Sequence, residues 1–399
     1  MRPRFFKSAT LCVLSGVTLI ANSAAAYELG SWDVHGTFSQ GFIYSTGNNF
    51  IEDSKDGTFD FREFGLNATT FIGERVTVGG QVFGRKYGAI GDDEIFLDWL
   101  SVTYSVNDAL GLRVGKLKMP YGLYGETRDI DFLRTQILLP QGVYVESYRG
   151  SVNAMWGAQA FGNLYLKDFG SIDYSLQYGQ STIDADSGEL NRLATYIQLE
   201  ADNVNDDEAG AFKVLWNTPF SGLRLGSTVT WTAFEVTGPT DGLLGFPSQY
   251  NADLHDQQIV VTSAEYTLGD TTFAAEHLRS DLEADVVFNA LSANPFVLEV
   301  NLSGYYLSVD HQLTDNLTLG AGFSGVSVKQ KVALPGLATS EKEKQEGAYV
   351  TLRYDVTPNV NVKLEQHIST GRAALFTTEN PDSIKDDWSM TLVKFSVLF

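Results

Sequence analysis

Apolar and polar residues alternate along most of this chain, in segments separated by two kinds of join. Some joins are only a few residues long, such as 269–270 and 358–359, whereas others are long and rich in Asp, Glu, Gly, Asn and Ser. Alternation with a period of two is the pattern of a β-strand whose two faces meet different surroundings. The pattern predicts sixteen strands, at 31–46, 58–73, 75–88, 95–106, 110–118, 150–161, 170–179, 208–218, 222–236, 254–268, 271–280, 300–313, 316–330, 346–357, 359–370 and 387–399.

The rhythm of short and long joins indicates how these strands are arranged. Strands of about ten residues that are joined alternately by short turns and by long loops are typical of outer-membrane barrels. We therefore predict an all-β fold, a transmembrane antiparallel β-barrel of about 16 strands. A soluble β-sandwich is the alternative, because its strands also alternate, but it does not predict this rhythm.

The alternation also indicates which face of each strand points to water. In 360–367 the apolar residues are Val360, Val362 and Leu364, and polar residues occupy the positions between them. In a membrane barrel the apolar face meets lipid and the polar face meets the lumen. We expect the following polar residues of three strands to line the lumen: Asp173, Arg224, Lys363 and Glu365.

The chain ends on an apolar strand. Phe395, Val397 and the terminal Phe399 share one face of the segment 387–399. A closed barrel must pair its last strand with its first, since an open strand edge is not tolerated in lipid. This ending resembles the C-terminal signal that the outer-membrane assembly machinery reads on its barrel substrates, and the resemblance implies that role for these three residues.

The other end has the pattern of a secretory signal peptide. Three basic residues precede the apolar stretch 9–20, and Ala24, Ala25 and Ala26 form a cleavage site of small residues. We predict a signal peptide at 1–26 and a single barrel domain at 27–399. The only cysteine, Cys12, lies in the segment to be removed. No run of 18 apolar residues follows it, so a helical membrane span is not expected.

The charge of the chain excludes some functions. Without Arg2, Arg4 and Lys7, 25 of the 28 basic residues remain against 49 acidic ones, a balance of about −24. A nucleic-acid partner is not expected, because such a protein needs a basic face. A phosphate-selective pore would need a lining dense in Lys and Arg. We expect part of the acidity to face lipopolysaccharide.

Signals for catalysis, metal binding or cofactor binding are weak. The five histidines have no H-E-x-x-H spacing, and neither a G-x-S-x-G motif nor a P-loop is present. The acidic run 202–208 lacks the glycine of a calcium loop. We expect no enzyme activity, no metal and no cofactor, although residues that meet only in space could still form a catalytic site.

The segment 110–149 carries the most functional information. A strand ends near Pro120, and about thirty residues pass before the next one, a length that is usually functional in a compact fold. Apolar residues such as Phe132, Leu138 and Leu139 would have nothing to pack against in solvent. We therefore predict that 119–149, the third long loop, folds into the barrel.

The sequence Gly-Lys-Leu-Lys-Met-Pro-Tyr-Gly at 115–122 resembles a segment of Gram-negative outer-membrane porins, including the phosphate-selective-porin-like group of marine gammaproteobacteria. The basic character of the phosphate-selective members is not reproduced. The resemblance implies a sixteen-stranded trimeric porin in which the third long loop enters and narrows the lumen.

Charged residues near this loop are candidates for the pore constriction. Opposed charges across a narrow aqueous gap select solutes by their field. The candidates are Lys116, Lys118, Glu126, Arg128, Asp129, Asp131 and Arg134. Lys116 and Lys118 are expected to line the pore from one strand face. For Arg128 with Asp129 or Asp131, ion pairs that only fix the loop are an equal alternative.

Together these features predict a porin for passive diffusion of small hydrophilic solutes and ions, with a mild cation preference, in the outer membrane of a Gram-negative cell. The predicted partners are outer-membrane lipids and lipopolysaccharide, the assembly machinery, two further copies in a homotrimer, and small solutes. A channel specific for sugars or small carboxylates is the first alternative. An outer-membrane hydrolase or adhesion protein is the second.

Overall fold

The computed structural model describes residues 27–399 except 30, 89, 147–148, 150–152, 184, 186–189, 191–199, 241–247, 292–293, 335–336, 376–378 and 381–383. The signal peptide predicted at 1–26 lies outside the described residues. In the described part, no helix has both the length and the apolar character needed to cross a membrane.

Antiparallel strands account for the fold. A short strand, β1 (Tyr27–Leu29), pairs with the start of β2. The sixteen long strands are β2 (Trp32–Thr46), β3 (Phe61–Ile72), β4 (Val76–Tyr87), β5 (Ile90–Asn107), β6 (Leu110–Lys118), β7 (Ala154–Tyr165), β8 (Ser171–Ser181), β9 (Asn203–Asn217), β10 (Leu223–Pro239), β11 (Gln249–Leu268), β12 (Thr271–Phe288), β13 (Phe296–Thr314), β14 (Leu317–Leu334), β15 (Leu337–Thr357), β16 (Val360–Gly371) and β17 (Asp387–Leu398).

Each long strand pairs with its neighbours in the chain, and the last one pairs with the first. β17 lies against β2 from Leu398 opposite Thr37 to Ser389 opposite Thr46. Beyond this ladder, the backbones of Gly36 and Phe399 exchange hydrogen bonds of 2.6 and 2.8 Å. The sheet is therefore a closed sixteen-stranded barrel, and the predicted fold class is confirmed.

The two faces of the wall differ in polarity, as β16 illustrates. Val362 and Leu364 are exposed, whereas Lys363 and Glu365, at the alternate positions, are fully buried. The buried side chains contact the loop between β6 and β7, so their side of the sheet is the inside of the barrel. The exposed apolar side is the one that would meet lipid.

Several strands extend further than their predicted ends. β12 continues to Phe288 instead of 280, and β15 begins at Leu337 instead of 346. In the β14–β15 hairpin the pairing continues through polar residues, with Lys329 opposite Lys342. Above the apolar band the outward face also meets water, so the backbone ladder persists while the apolar signal for a strand is lost.

At the ends near the long loops, the inside of the wall is apolar. Phe234, Leu282 and Phe288 are buried in one cluster that faces inward from β10 and β12. On the opposite face, Glu235 and Asp253 are exposed next to each other in register. This part of the wall has the pattern of a water-soluble protein, with polar residues outside and apolar residues inside.

Candidate functional site: a loop anchored inside the barrel

The loop that follows β6 crosses the inside of the barrel. Its residues 137–146 are buried, and single turns of 3-10 helix form at Gly125–Thr127 and Asp131–Leu133. Hydrogen bonds and ion pairs connect this segment to side chains of β3, β9, β12, β13, β15, β16 and β17. The loop is thus fixed at several points around the wall.

One anchor is the carboxylate of Glu276 on β12. It accepts hydrogen bonds from the Leu123 backbone N–H at 2.9 Å and from the Tyr144 hydroxyl at 2.5 Å, both in the loop. The hydroxyls of Ser263 and Tyr306, from neighbouring strands, donate at 2.5 and 2.9 Å. Four donors replace the water that a carboxylate loses on burial, so this contact joins the loop to the wall without a cation.

A second anchor is Asp131, on the other side of the barrel. Its carboxylate lies 2.9 Å from the ammonium of Lys363 and 3.2 Å from that of Lys394, and it accepts a 2.6 Å hydrogen bond from Ser396. Burial alone would raise the pKa of Asp131, but the ammoniums of Lys363 and Lys394 hold it well below its usual range. Asp131 is therefore charged at neutral pH.

A third group of ion pairs stabilises the two ends of the loop. Asp129 pairs with Lys118 and Arg149, and Glu146 lies 3.0 Å from Arg128. Burial would raise the pKa of Glu146, but Arg128 and Arg149 lower it to about 2. The pKa of Asp129 is likewise held below its usual range, against burial, by Lys118 and Arg149. These charges neutralise one another within the protein.

Polar contacts to the loop backbone complete the attachment. Glu365 accepts hydrogen bonds from the backbone N–H groups of Ile137 and Leu138, at 2.7 and 3.2 Å. Arg353 donates to the carbonyl of Phe132 at 2.8 Å. Arg134 donates to the carbonyls of Arg128, Gln136 and Ile137 and so holds the loop on itself.

Glycines allow the loop backbone to touch the wall. A Cβ atom at Gly142 would lie 2.1 Å from the carbonyl oxygen of Tyr305 and 2.8 Å from that of Gly325. A Cβ atom at Gly304, on the facing strand, would lie only 1.7 Å from the Gly142 carbonyl oxygen. No other residue type fits at these two positions without a shift of the backbone.

Glu126 differs from the other acidic residues of the loop. Its side chain remains 42% exposed, and its carboxylate lies 2.7 Å from the ammonium of Lys213 on β9. Thr127 beside it is also exposed. This ion pair connects the exposed turn of the loop to a part of the wall remote from the three buried anchors.

The structure thus brings together six of the seven predicted constriction residues in the loop and at its base. Five of the six, Lys118, Arg128, Asp129, Asp131 and Arg134, form contacts that fix the loop. Lys116 differs from the expectation. It shares a side of the sheet with Leu100 and Trp156, both exposed on the outer face, and its ammonium donates to the Leu97 carbonyl at 2.8 Å.

The pairing of β6 with β5 accounts for this difference. It ends at Lys116, whereas the pairing with β7 continues to Lys118, and the Lys118 ammonium reaches the buried Asp98 at 2.5 Å. Two lysines at alternate positions of one strand therefore make different contacts here.

Of the predicted lumen-lining residues, Lys363 and Glu365 lie under the loop as described above. Asp173 accepts hydrogen bonds of 2.7 Å from Asn163 and from Asn217 on the neighbouring strands. Arg224 pairs with Glu265, with 3.0 Å between Nε and Oε1. That these four residues line the path of permeating solutes stays a prediction.

The three predicted assembly residues lie at the closure of the barrel. Phe395, Val397 and Phe399 occupy alternate positions with Val393, which is exposed on the outer face, although Val397 itself is buried. A Cβ atom at Gly36 would lie 2.3 Å from the Phe399 ring, so the terminal ring covers this glycine of β2. Their role in assembly stays a prediction.

Several residues of the site were not predicted from sequence. Lys394 and Lys213 lie between apolar outward residues in their strands, so the alternation alone could have marked both as inward-facing. Glu63 and Glu276 carry no such clear signal. Their importance depends on the path of the loop, which brings Arg149 to Glu63 and Tyr144 to Glu276.

The charges of this site occur mainly in pairs. Within the described residues, no group of three or more His, Cys, Asp and Glu side chains is placed to hold a metal ion. The buried charges of the loop pair with one another or with the wall, and the exposed Glu126 of the loop turn pairs with the partly buried Lys213 of β9. A charged pair beside an aqueous passage acts on ions that pass within a few ångströms.

Known structures share this fold. OmpT of Vibrio cholerae in a trimer form aligns with a TM-score of 0.54 at 13% identity, covering 92% of this chain and 99% of that one. An anion-selective porin from Comamonas acidovorans aligns with a TM-score of 0.55 at 11% identity, covering 92% of this chain and 99% of that one. The outer membrane channel DcaP of Acinetobacter baumannii aligns with a TM-score of 0.52 at 12% identity, covering 93% of this chain and 99% of that one.

At these identities the likeness establishes the fold, which is that of the outer-membrane porins. No protein-family model matches the chain, and no curated protein matches it.

Proposed function

We propose that the protein is an outer-membrane porin for passive diffusion of small hydrophilic solutes and ions. The observation that carries the proposal is the loop between β6 and β7, which is anchored inside a closed barrel. A barrel of sixteen strands has a lumen wide enough for an aqueous channel. A loop fixed across that lumen would set the size of the passage, and the paired charges at its exposed turn would set the selectivity.

A mild cation preference is part of the proposal. The chain is strongly acidic, but at physiological salt the screening length is about 8 Å, so distant surface charge contributes little inside the pore. Glu126 is the acidic residue of the loop with the most exposed side chain among those in ion pairs, and Lys213 partly offsets it. The balance favours cations weakly, and more strongly at low salt.

The proposed setting is the Gram-negative outer membrane, with the mature chain exported by its signal peptide and assembled as a homotrimer. The fold supports the proposed location in the outer membrane, since it is shared with outer-membrane proteins of three bacteria. The trimer is supported by the trimer form recorded for one of them.

Conductance in planar bilayers tests the proposal. The purified protein, folded in detergent, should produce stepwise increases in current in KCl, with steps in multiples of three if the unit is a trimer. Liposome swelling with sugars and small carboxylates of increasing size would then show a smooth dependence on solute size for general diffusion. A folded, heat-modifiable barrel that gives no current would refute the channel, and uptake of one solute class alone would indicate a specific channel instead.

A further inference from the structure

Four lysines form a compact basic patch on the outward face of the β14–β15 hairpin. Along β14, Val326, Val328 and Gln330 are buried on the inside, so Lys329 and Lys331 point outward and are exposed. Along β15, Tyr349 is buried and Val350 is exposed, which places the exposed Lys342 and Lys344 on the same outward face. We call Lys329, Lys331, Lys342 and Lys344 the lysine patch.

The strand register brings these side chains close together. Lys329 lies directly opposite Lys342, and Lys344 lies opposite Ser327, one outward position away from Lys329. Directly opposed residues of an antiparallel pair have Cβ atoms about 4.5–5.5 Å apart. This separation is shorter than the screening length of about 8 Å, so the ammoniums act on a ligand as one group.

The wall itself compensates only part of this charge. Lys331 pairs with Glu299 on β13. Among the side chains that the structure describes, Lys329, Lys342 and Lys344 have no carboxylate within ion-pair distance. Besides Glu299, the next outward acids by register are Asp281, which pairs with Arg279, and Glu346 beside Tyr305. Like charges directly opposite each other destabilise a sheet, so an anion bound at this patch would relieve a repulsion.

The height of the patch points to one kind of anion. β14 leaves its short turn at Leu317, and a rise of about 3.3 Å per residue at a tilt of about 40° places Lys329 about 30 Å above that end. The apolar band of a membrane barrel is about 25 Å tall. Below the patch, past Ser327 and Glu346, the outward side chains include the exposed apolar residues Phe323 and Val350. The lysines therefore lie level with the headgroups of the outer leaflet, above a surface for acyl chains.

We propose that the lysine patch binds the phosphates of the phosphorylated glycolipid of the outer leaflet, with the acyl chains of that lipid against the apolar surface below. The proposal rests on the outer-membrane location given under Proposed function but not on conduction. Clusters of Lys beside a membrane surface recognise anionic headgroups in this way. The site would bind one class of anionic lipid to a protein whose net negative charge otherwise repels anions.

Binding of lipid A to the full mature protein in detergent tests this site. The variant K329Q/K342Q/K344Q is compared with wild type and with R279Q, which removes an outward arginine from the register row of Lys344. EDTA is present throughout, so that divalent ions do not bridge acidic residues to the phosphates. The triple glutamine variant should bind lipid A bearing two phosphates about tenfold more weakly or worse, whereas R279Q should bind it like wild type.

Three further arms define the ligand. Dephosphorylated lipid A should bind wild type and the glutamine variant equally weakly. Phosphatidylglycerol vesicles should show little difference between them, and inorganic phosphate alone should not displace lipid A. An equal loss toward phosphatidylglycerol would overturn the assignment by indicating a surface for any anionic bilayer, and displacement by free phosphate would overturn it in favour of an ion site.

The folded state is checked separately. The glutamine variant should retain heat-modifiable migration and the wild-type conductance, because the patch lies outside the barrel. The variant K329R/K342R/K344R, which keeps the charge, should bind lipid A like wild type, and K342Q/K344Q, which removes two of the charges and should bind lipid A more weakly, replaces the triple glutamine variant if that one fails to fold. A barrel that binds lipid A but does not conduct would refute the proposed porin function and leave this site intact.

Discussion

At the scale of single residues, the pair Glu126 and Lys213 sets our expectation for selectivity. Glu126→Gln should lower the cation-over-anion permeability ratio, and Lys213→Gln should raise it, each by about twofold to fivefold for one charge a few ångströms from the ion. The zero-current potential in a KCl gradient measures the ratio. The shifts should shrink as salt is raised.

Two variants serve as controls for this prediction. The double variant Glu126→Gln, Lys213→Gln should return close to the wild-type ratio, since it removes one charge of each sign. Lys116→Gln should leave the ratio unchanged, because Lys116 shares the outer face with Leu100 and Trp156. If Lys116→Gln moves the potential and Lys213→Gln does not, the ion path has been assigned to the wrong side of the wall.

The buried carboxyls predict how the loop responds to acid. The pKa of Glu146 falls from an ordinary 4.5 to about 2, and those of Asp129 and Asp131 are also lowered. A carboxyl with a lowered folded-state pKa contributes stability above its unfolded pKa and loses that contribution as pH falls through the folded value. Protection of the loop against protease and the conductance should both stay constant from pH 7 to about 5 and decline between about 4.5 and 2.

Glu146→Gln provides the comparison, because it removes one of these titrations and should weaken the decline in that window while lowering loop protection at neutral pH. Loop protection that is already lost at pH 6 would contradict the pairing described for these carboxyls.

Single residues also show what the sequence could predict of the site. Alternation identified Lys363 and Glu365 as polar positions between apolar ones, and the structure places both inside, under the loop. It could not identify their partners, because Asp131 is 232 positions away from Lys363 in the chain. Choosing between pore-lining and loop-fixing charges requires the path of the loop, which periodicity does not encode.

At the scale of elements, the contact between the loop and β13 depends on glycine. Gly142→Ala should push the loop backbone away from the Tyr305 carbonyl and cost about 1–3 kcal/mol through overpacking. The loop would then be less firmly held, so single-channel current should become noisier and the free energy of unfolding should fall. Denaturant titration with parallel bilayer recordings measures both.

Gly226→Ala is the matched control for this change. Its Cβ atom would lie 3.0 Å from the Leu215 Cδ1, the mobile end of a side chain, and 3.2 Å from the Val214 carbonyl oxygen, whereas the carbonyl contact at Gly142 would be 2.1 Å. It should therefore alter stability and current noise far less than Gly142→Ala. Equal effects of the two substitutions would mean that the close approach at Gly142 does not hold the loop.

Element ends were the least predictable part of the fold. The predicted strand 110–118 agrees with β6, whereas β12 and β15 extend eight and nine residues beyond their predicted ends. The difference concentrates where the outward face of the wall is polar, because a strand outside the bilayer no longer needs an apolar outward face. An apolar outward face therefore marks the membrane band, not the full length of the strand.

At the scale of the whole molecule, the closure between β17 and β2 is the feature that the sequence predicted most directly. The C-terminal alternation required a partner for the last strand, and the barrel supplies it in β2. Deleting Phe399 removes two backbone hydrogen bonds to Gly36 and the ring that covers it, a loss of about 1–3 kcal/mol. We expect less heat-modifiable protein in the outer membrane.

Phe71→Ala tests whether this effect is specific to the terminus. Phe71 is also a strongly exposed aromatic residue of the wall, near a short turn, but it takes no part in closure. Its substitution should leave the amount of assembled barrel close to wild type. Similar losses for both changes would indicate a general need for exposed aromatic residues rather than a role of the C-terminal end.

The loop between β6 and β7 also has a mechanical consequence. Because Asp131 holds β16 and β17, Tyr144 holds β12 and Glu126 holds β9, the loop braces the cross-section of the barrel along more than one diameter. A hollow cylinder yields to sideways compression by becoming elliptical, whereas a braced one resists it. The width of the passage should accordingly be insensitive to the lateral pressure and thickness of the surrounding bilayer.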